Sequence, residues 1–521
     1  MTQALVEMPL EPAGVPRGRA MVERATWAAR TFATYDIDSV RRIAHAAAIA
    51  GENHAREFAE LAVQETGYGV VEHKVLKNVA CSVGIWNTYE SHDYVTPTIL
   101  SGDKIVEVPR PAGVIFALTP STNPVATVYF KIMLALLTRN TIIISPHPFA
   151  KGVCTSAAYA MRDAAVAEGA PDGVIQVVEQ PSIPLINALM TDERVDVIVA
   201  TGGAPMVRAA YRSGNPAFGV GPSNVPVFVE KSADLAAAAQ SIVASKSFDN
   251  SILCTSESVL IVEDSILTSF TKELTKAGAC LLSTEQVEVV RDLIFPAGNF
   301  DTAWVGKSAA EIAAACDLKV PKGTLILVAP IDLIVPEEPL AHEKLCPVLA
   351  MVTVSSAARG IDAARAVLRN SGRGHSAAIH SQDARVRMDY ASALPVLRVA
   401  VNVGNSLGSA GIQTALAPSM TIGTGFFGRS SLGENLQPKH FINQTLIAYN
   451  SNQSVLMPDF TDLNSWSVPE GSVPAYPIAS NLEGAPVIPQ PSNPVEFSGT
   501  DDLREEIRRL VIDELRQIIK G

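Results

Sequence analysis

The sequence predicts an α/β fold, a doubly wound parallel-sheet domain joined to a second α/β lobe. Three observations carry this. From residue 112 onward, short apolar runs alternate with helical segments. Each run is apolar at every position rather than at every second one, as expected of strands covered on both faces. A second series of the same kind occupies about 256–425.

The elements follow in order. Residues 20–95 are Ala-rich with 3.6-residue periodicity and read as helices. Residues 96–109 turn to β-branched residues around Ser101-Gly102-Asp103, a hairpin pattern. Strands are expected at 113–117, 141–145, 174–178, 195–200 and 225–229. Helices are expected at 124–137, with Pro at the first turn, at 155–168, from 204 to near Gly214, and at 235–246. In the second series, strands are expected at 258–262, 325–328, 349–354 and 377–380, and extended chain returns at 441–457. Seven prolines then fall within 467–500, a semi-rigid linker. Beyond it, Leu503, Ile507, Val511, Leu515 and Ile518 line one face of a helix over 501–521.

Composition narrows the function classes. The 521 residues allow about three domains. With 47% hydrophobic and 18% charged residues, the chain is not intrinsically disordered. A net charge of −12 argues against nucleic acid as a partner. No run of about 18 apolar residues suggests a membrane span, and Met1 to Val22 lacks an export pattern, so a cytoplasmic protein is expected. Six scattered cysteines contain no CxxC pair, as expected of reduced thiols.

Several residues invite chemistry. Cys254 lies in a small, polar junction before a strand, where a helix N-terminus would favour its thiolate; a structural thiol is the alternative. Asn123 follows a strand end and either donates its amide to a developing oxyanion or caps the helix at Pro124. Thr201-Gly202-Gly203 joins strand to helix, a turn suited to a pyrophosphate. Gly423–Gly428 matches G-x-G-x-x-G but precedes no helix, so it is read as a decoy. His342 and His375 are candidate acids or bases, and no histidine pair has metal-ligand spacing.

Together, TPSTNP (119–124), ISPHP (144–148), VATGG (199–203), FGVGPSNVPV (218–227), SFDNSILCTSE (247–257), HEKLCPVLA (342–350), GRGHSAAIH (372–380), LAPSMTIGTG (416–425) and ENLQPKHFIN (434–443) make the chain resemble the CoA-acylating branch of the aldehyde dehydrogenase superfamily. It is similar to the aldehyde half of aldehyde/alcohol dehydrogenases and to the propionaldehyde and acetaldehyde dehydrogenases of bacterial microcompartments. The resemblance implies NAD-dependent oxidation of a short-chain aldehyde to an acyl-CoA, with NAD and coenzyme A as cofactors. It implies that Cys254 is the nucleophile and Asn123 the oxyanion donor, and that Glu343 holds the nicotinamide ribose. Gly202 and Gly203 match the phosphate turn, Ser145 and His147 the adenosine end, and Thr119 and Pro120 complete the cofactor wall. Where hydrolytic relatives carry a water-activating Glu, this chain has Gly219, which points to transfer onto CoA.

The domain division expected from the resemblance has five parts. Residues 1–226 bind NAD and CoA, 227–425 form the catalytic domain, and 426–466 return to the first domain. The linker (467–500) and the helix (501–521) complete the chain. The hairpin near 96–109 and a strand near 443–450 form an oligomerisation arm, so a homodimer or homotetramer is expected. The tail resembles the encapsulation peptides of microcompartment cargo, which implies docking to shell or cargo. Packing on its own oligomer is the alternative, and the acidic residues 501, 502, 505, 506, 513 and 514 argue against a membrane surface.

Overall fold

The computed structural model describes residues 14–460 and 463. The linker and the helix expected over 467–521 lie outside the described residues.

Five helices between Val15 and Tyr89 precede the first strands, an antiparallel hairpin of β1 (Thr98–Leu100) and β2 (Ile105–Pro111). Five parallel strands follow: β3 (Val114–Thr119), β4 (Thr141–Pro146), β5 (Ile175–Val177), β6 (Val197–Thr201) and β7 (Ala217–Val220). They form one sheet in the order β5-β4-β3-β6-β7. Alternation along β3 shows the double winding. Ile115 and Ala117 join a core with helices Ile37–Asn53, Pro124–Leu137 and Lys151–Ala167. Val114, Phe116 and Leu118 join another with helices Val15–Phe32, Ile183–Thr191 and Ala204–Arg212. With both faces covered, an apolar residue at every position is stabilising, and each large one contributes about 1.5–3 kcal/mol.

The helix Pro124–Leu137 is buried on every side, yet it contains Lys131. Its ammonium is held by the carbonyls of Leu118 (2.6 Å) and Val199 (3.1 Å), near the carboxyl ends of β3 and β6. A buried charge requires such partners; burial also drives the Lys131 pKa far below its usual value.

The second sheet contains β8 (Val225–Val229), β9 (Glu257–Glu263), β10 (Ala279–Leu281), β11 (Ile326–Pro330), β12 (Val348–Val354), β13 (Ala377–His380) and β14 (Val399–Val401). Its order is β10-β11-β12-β9-β8-β13-β14, parallel throughout. The domain boundary expected at 226/227 therefore needs correction, because it cuts β8. The chain changes sheets between Val220 and Val225, since β8 pairs with β9 and β13. Leu432, Leu436 and Phe441 pack back into the core of the five-stranded lobe. The last strand, β15 (Ile442–Ala448), pairs antiparallel with β2 and is largely exposed.

Candidate active site

The carboxyl ends of β3, β4 and β6 open onto one cavity of about 400 Å³, where parallel sheets commonly bind ligands. β3 ends at Thr119 and leads through Pro120 to Asn123. β4 supplies Ser145 and leads to His147. β6 leads to Gly202 and Gly203. The second lobe brings Cys254 and Glu343 to the opposite wall. The nine residues to which the resemblance assigns a part in catalysis or cofactor binding all line this cavity. His342 and His375 do not. His342 Nε2 lies 2.8 Å from the Pro336 carbonyl, and His375 is buried with its pKa pushed down to about 3 by burial and by Arg398.

Cys254 requires a correction. No helix begins there; the residue lies in a turn between a 3-10 segment, Phe248–Ser251, and β9. The expected helix-dipole activation is absent. Burial and the neighbouring Glu343 charge push the Cys254 thiol up to about 12, against weaker opposing effects of its own backbone N–H and Arg398. The resting thiol is protonated near neutral pH. Glu343 is also perturbed: burial lifts its carboxyl to about 7, opposed by a hydrogen bond from Ser223 Oγ (2.5 Å) and by Lys246.

Asn123 occupies the position preceding helix Pro124–Leu137, but its side chain makes no capping bond. Its Oδ1 instead accepts a hydrogen bond from the Lys77 ammonium. Lys77, on helix Val71–Cys81, also pairs with Asp249, which takes a further bond from Lys74 (3.1 Å). Asp249 Oδ1 accepts the Val70 N–H at 2.6 Å. These ions are almost wholly buried. The two lysines hold the Asp249 carboxyl below its usual range against desolvation, and burial lowers Lys74 to about 8.

Asp249, Asn250 and Ser251 all have positive φ (48°, 52° and 65°). Such left-handed non-glycine residues cost of order 1–3 kcal/mol each and persist where surroundings hold them. Here Asn250 Nδ2 donates to the Gly306 carbonyl (2.8 Å), and Asp249 N–H donates to His73 Nδ1 (2.8 Å). Gly69 is required against this corner, because a β-carbon there would collide with Asp249 Oδ1. A β-carbon on Gly306 would lie 2.9 Å from the Gly69 nitrogen. None of this network was anticipated. Its only trace in sequence is two lysines three residues apart, common on exposed helix faces.

The other wall contains few charges. A β-carbon on Gly202 would meet nothing within 4 Å, so the turn leaves open space beside its backbone. Ser145 Oγ is buried and has no hydrogen-bond partner among the described residues. His147 Nδ1 accepts the Phe149 N–H (3.2 Å), which places the proton of the neutral ring on Nε2. An open backbone turn, an unpaired hydroxyl and a ring N–H fit a dinucleotide. The Gly423–Gly428 segment forms only a 3-10 turn at Phe426–Gly428.

Gly219 differs from expectation. A β-carbon there would lie 2.5 Å from Val207 Cγ1 and 2.7 Å from Tyr211 Cε2, on the helix side of β7. A glutamate at 219 would not enter the cavity. Among the described lining residues Glu343 is the one carboxylate, and none is Lys or Arg.

The aldehyde dehydrogenase family profile matches residues 12–288. The chain is 38% identical over 438 residues to the bifunctional aldehyde-alcohol dehydrogenase AdhE of Escherichia coli (strain K12), covering 82% of this chain and 49% of that protein. It thus spans about half the length of the curated relatives it first matches. An acetylating aldehyde dehydrogenase from Geobacillus thermoglucosidasius superposes with a TM-score of 0.83 at 35% identity, covering 86% of this chain and 98% of that one. A propionaldehyde dehydrogenase from Rhodopseudomonas palustris, solved with bound propionyl-CoA, gives 0.75 at 28% identity, covering 83% and 94%.

Proposed function

The chain belongs to the aldehyde dehydrogenase family, on its CoA-acylating branch, and on that premise we propose that it oxidises a short-chain aldehyde to an acyl-CoA with NAD as hydride acceptor. One observation carries the reading: Cys254, Asn123 and Glu343 share a cavity whose described lining contains no second carboxylate.

Cys254 Sγ, once deprotonated, attacks the aldehyde carbon. The carbonyl oxygen becomes an oxyanion that Asn123 Nδ2 and the Cys254 N–H stabilise. The bound dinucleotide supplies the acceptor for the hydride lost from that carbon, leaving a thioester on Cys254. Glu343 would hold the ribose hydroxyls, Gly202 and Gly203 the phosphates, and Ser145 and His147 the adenosine end, with Thr119 and Pro120 completing that wall. The CoA thiol, a better nucleophile than water, then displaces Cys254. Hydrolysis would require a base to activate water, and a cavity with Glu343 as its one described carboxylate does not favour it. Acetaldehyde or propionaldehyde is the preferred substrate: Ile252, Leu253, Met420 and Ile422 are apolar, and none of the described lining residues is Lys or Arg, as an acidic aldehyde would need.

NADH formation across C2 to C5 aldehydes, with and without CoA, tests this. Acyl-CoA as the product, with turnover dependent on CoA, is expected; equal turnover to free acid without CoA overturns it. The tail is proposed to dock onto a microcompartment shell or its cargo, and the sheet of β1, β2 and β15 to serve as the oligomerisation arm of a homodimer or homotetramer.

A further inference from the structure

The Lys77–Asp249 pair gives this site a part not assigned so far. Resting on the reading of Asn123 as oxyanion donor, we propose that Lys77, anchored by Asp249, is a positioning residue that fixes which end of the Asn123 amide faces the aldehyde.

The argument begins with what each group can do. An amide side chain has one accepting and one donating end, which exchange by a half-turn. Only the donating end can stabilise an oxyanion. An ammonium has donors alone. Lys77 Nζ donates to the atom of Asn123 that faces it, so that atom is Oδ1. Nδ2 is then on the other side, and its hydrogen bond to Thr122 Oγ1 is long at 3.4 Å. Asn123 itself lines the cavity. A neutral partner in place of Lys77 would accept either amide orientation.

Asp249 holds the lysine. Its Oδ2 takes bonds from both Lys77 and Lys74, while Oδ1 takes the Val70 N–H. The same residue begins the left-handed run that leads to Cys254. One carboxylate thus ties the amide donor to the segment bearing the nucleophile, across 172 residues of sequence.

Lys74 provides a matched control. It is as buried as Lys77 and pairs with the same carboxylate, but no bond from it to Asn123 is seen. Replacing either lysine leaves one lysine and one aspartate, a balanced pair. With acetaldehyde and CoA as substrates, Lys77→Met is expected to lower kcat about 30- to 100-fold, at or just below the roughly 10²- to 10³-fold cost of losing one oxyanion donor. Its KM for NAD should stay within about twofold. Lys74→Met should stay within about threefold of wild type in kcat. Lys77→Met combined with Asn123→Ala should be no slower than Asn123→Ala alone, because both act through one amide.

Wild-type kcat in folded Lys77→Met, an equal loss in Lys74→Met, or additive losses in the double variant overturns the proposal. If Asn123→Ala itself keeps full kcat, the oxyanion reading fails instead. Should Lys77→Met not fold, neutron diffraction on the wild-type protein decides: deuterons on the Asn123 atom facing away from Lys77 are expected, and the reverse orientation overturns the inference.

Discussion

The two walls of the cavity are made of different material. On the five-stranded side, strand ends and a Gly-Gly turn present backbone, an unpaired hydroxyl and a largely neutral ring. Around Cys254, and around Asn123 where β3 carries it across to meet the thiol, the working groups are backed by buried ions and a strained left-handed run. A surface that receives a polyanion at rest can be built of backbone dipoles alone. One that meets charge only as it develops needs donors fixed in advance, and fixing them requires groups behind them. The difference predicts that damage to the Cys254 wall appears in kcat and damage to the other wall in KM.

The sharpest break is Cys254→Ala. It should abolish acyl-CoA formation while leaving dinucleotide binding, followed by protein fluorescence, unchanged; appreciable turnover by the folded variant removes Cys254 as nucleophile. Asn123→Ala comes next, with kcat expected to fall about 10²-fold or more and KM for NAD unmoved. A collapse in melting temperature with normal turnover per folded molecule would instead make Asn123 a structural residue.

The protonation of Cys254 offers a third test. Because burial pushes its thiol up to about 12, the thiolate fraction grows about tenfold per pH unit through the neutral range. Iodoacetamide should therefore alkylate Cys254 in the free enzyme about tenfold faster for each unit between roughly pH 7 and 9. A plateau in that window would show a thiolate already formed at rest.

Effects on the opposite wall should be smaller. Gly202→Val adds a side chain where the fold has room, so the protein should remain stable while KM for NAD rises about tenfold, equivalent to about 1.4 kcal/mol of lost binding. A fall in kcat with KM unchanged would contradict the contrast. The smallest effect is expected from deleting residues 467–521: turnover in solution within about twofold of the full chain. Loss of activity on truncation would make the tail part of the enzyme's own assembly.

Sequence reasoning succeeded where local pattern and burial agree. Helix Pro124–Leu137 and β8 were expected at their observed bounds, since both are strongly apolar and clearly punctuated. β7, β10 and β14 passed unnoticed because three or four residues carry too little periodicity. Helix Lys151–Ala167 starts four residues before the expected Thr155 because its first-turn N–H groups at Gly152 and Val153 donate to the Glu65 carboxylate (2.8 and 2.7 Å). That cap comes from a remote helix, so no local signal announces it. The site divides in the same way. Its lining residues sit at strand ends and were recognisable by motif, whereas Lys77 reaches Asn123 and Asp249 only through tertiary packing. Gly219 failed for a simpler reason: motif position says nothing about which face of a strand a side chain takes.

The corner formed by Gly69, Asp249 and Gly306 also sets a limit on laboratory evolution. A β-carbon at Gly69 collides with Asp249, and one at Gly306 collides with the Gly69 backbone, while both glycines have positive φ. A library that randomises these positions singly will return little besides the parent. Joint randomisation with position 249 does not release them, because a smaller residue there would leave the buried Lys74 and Lys77 without their shared carboxylate.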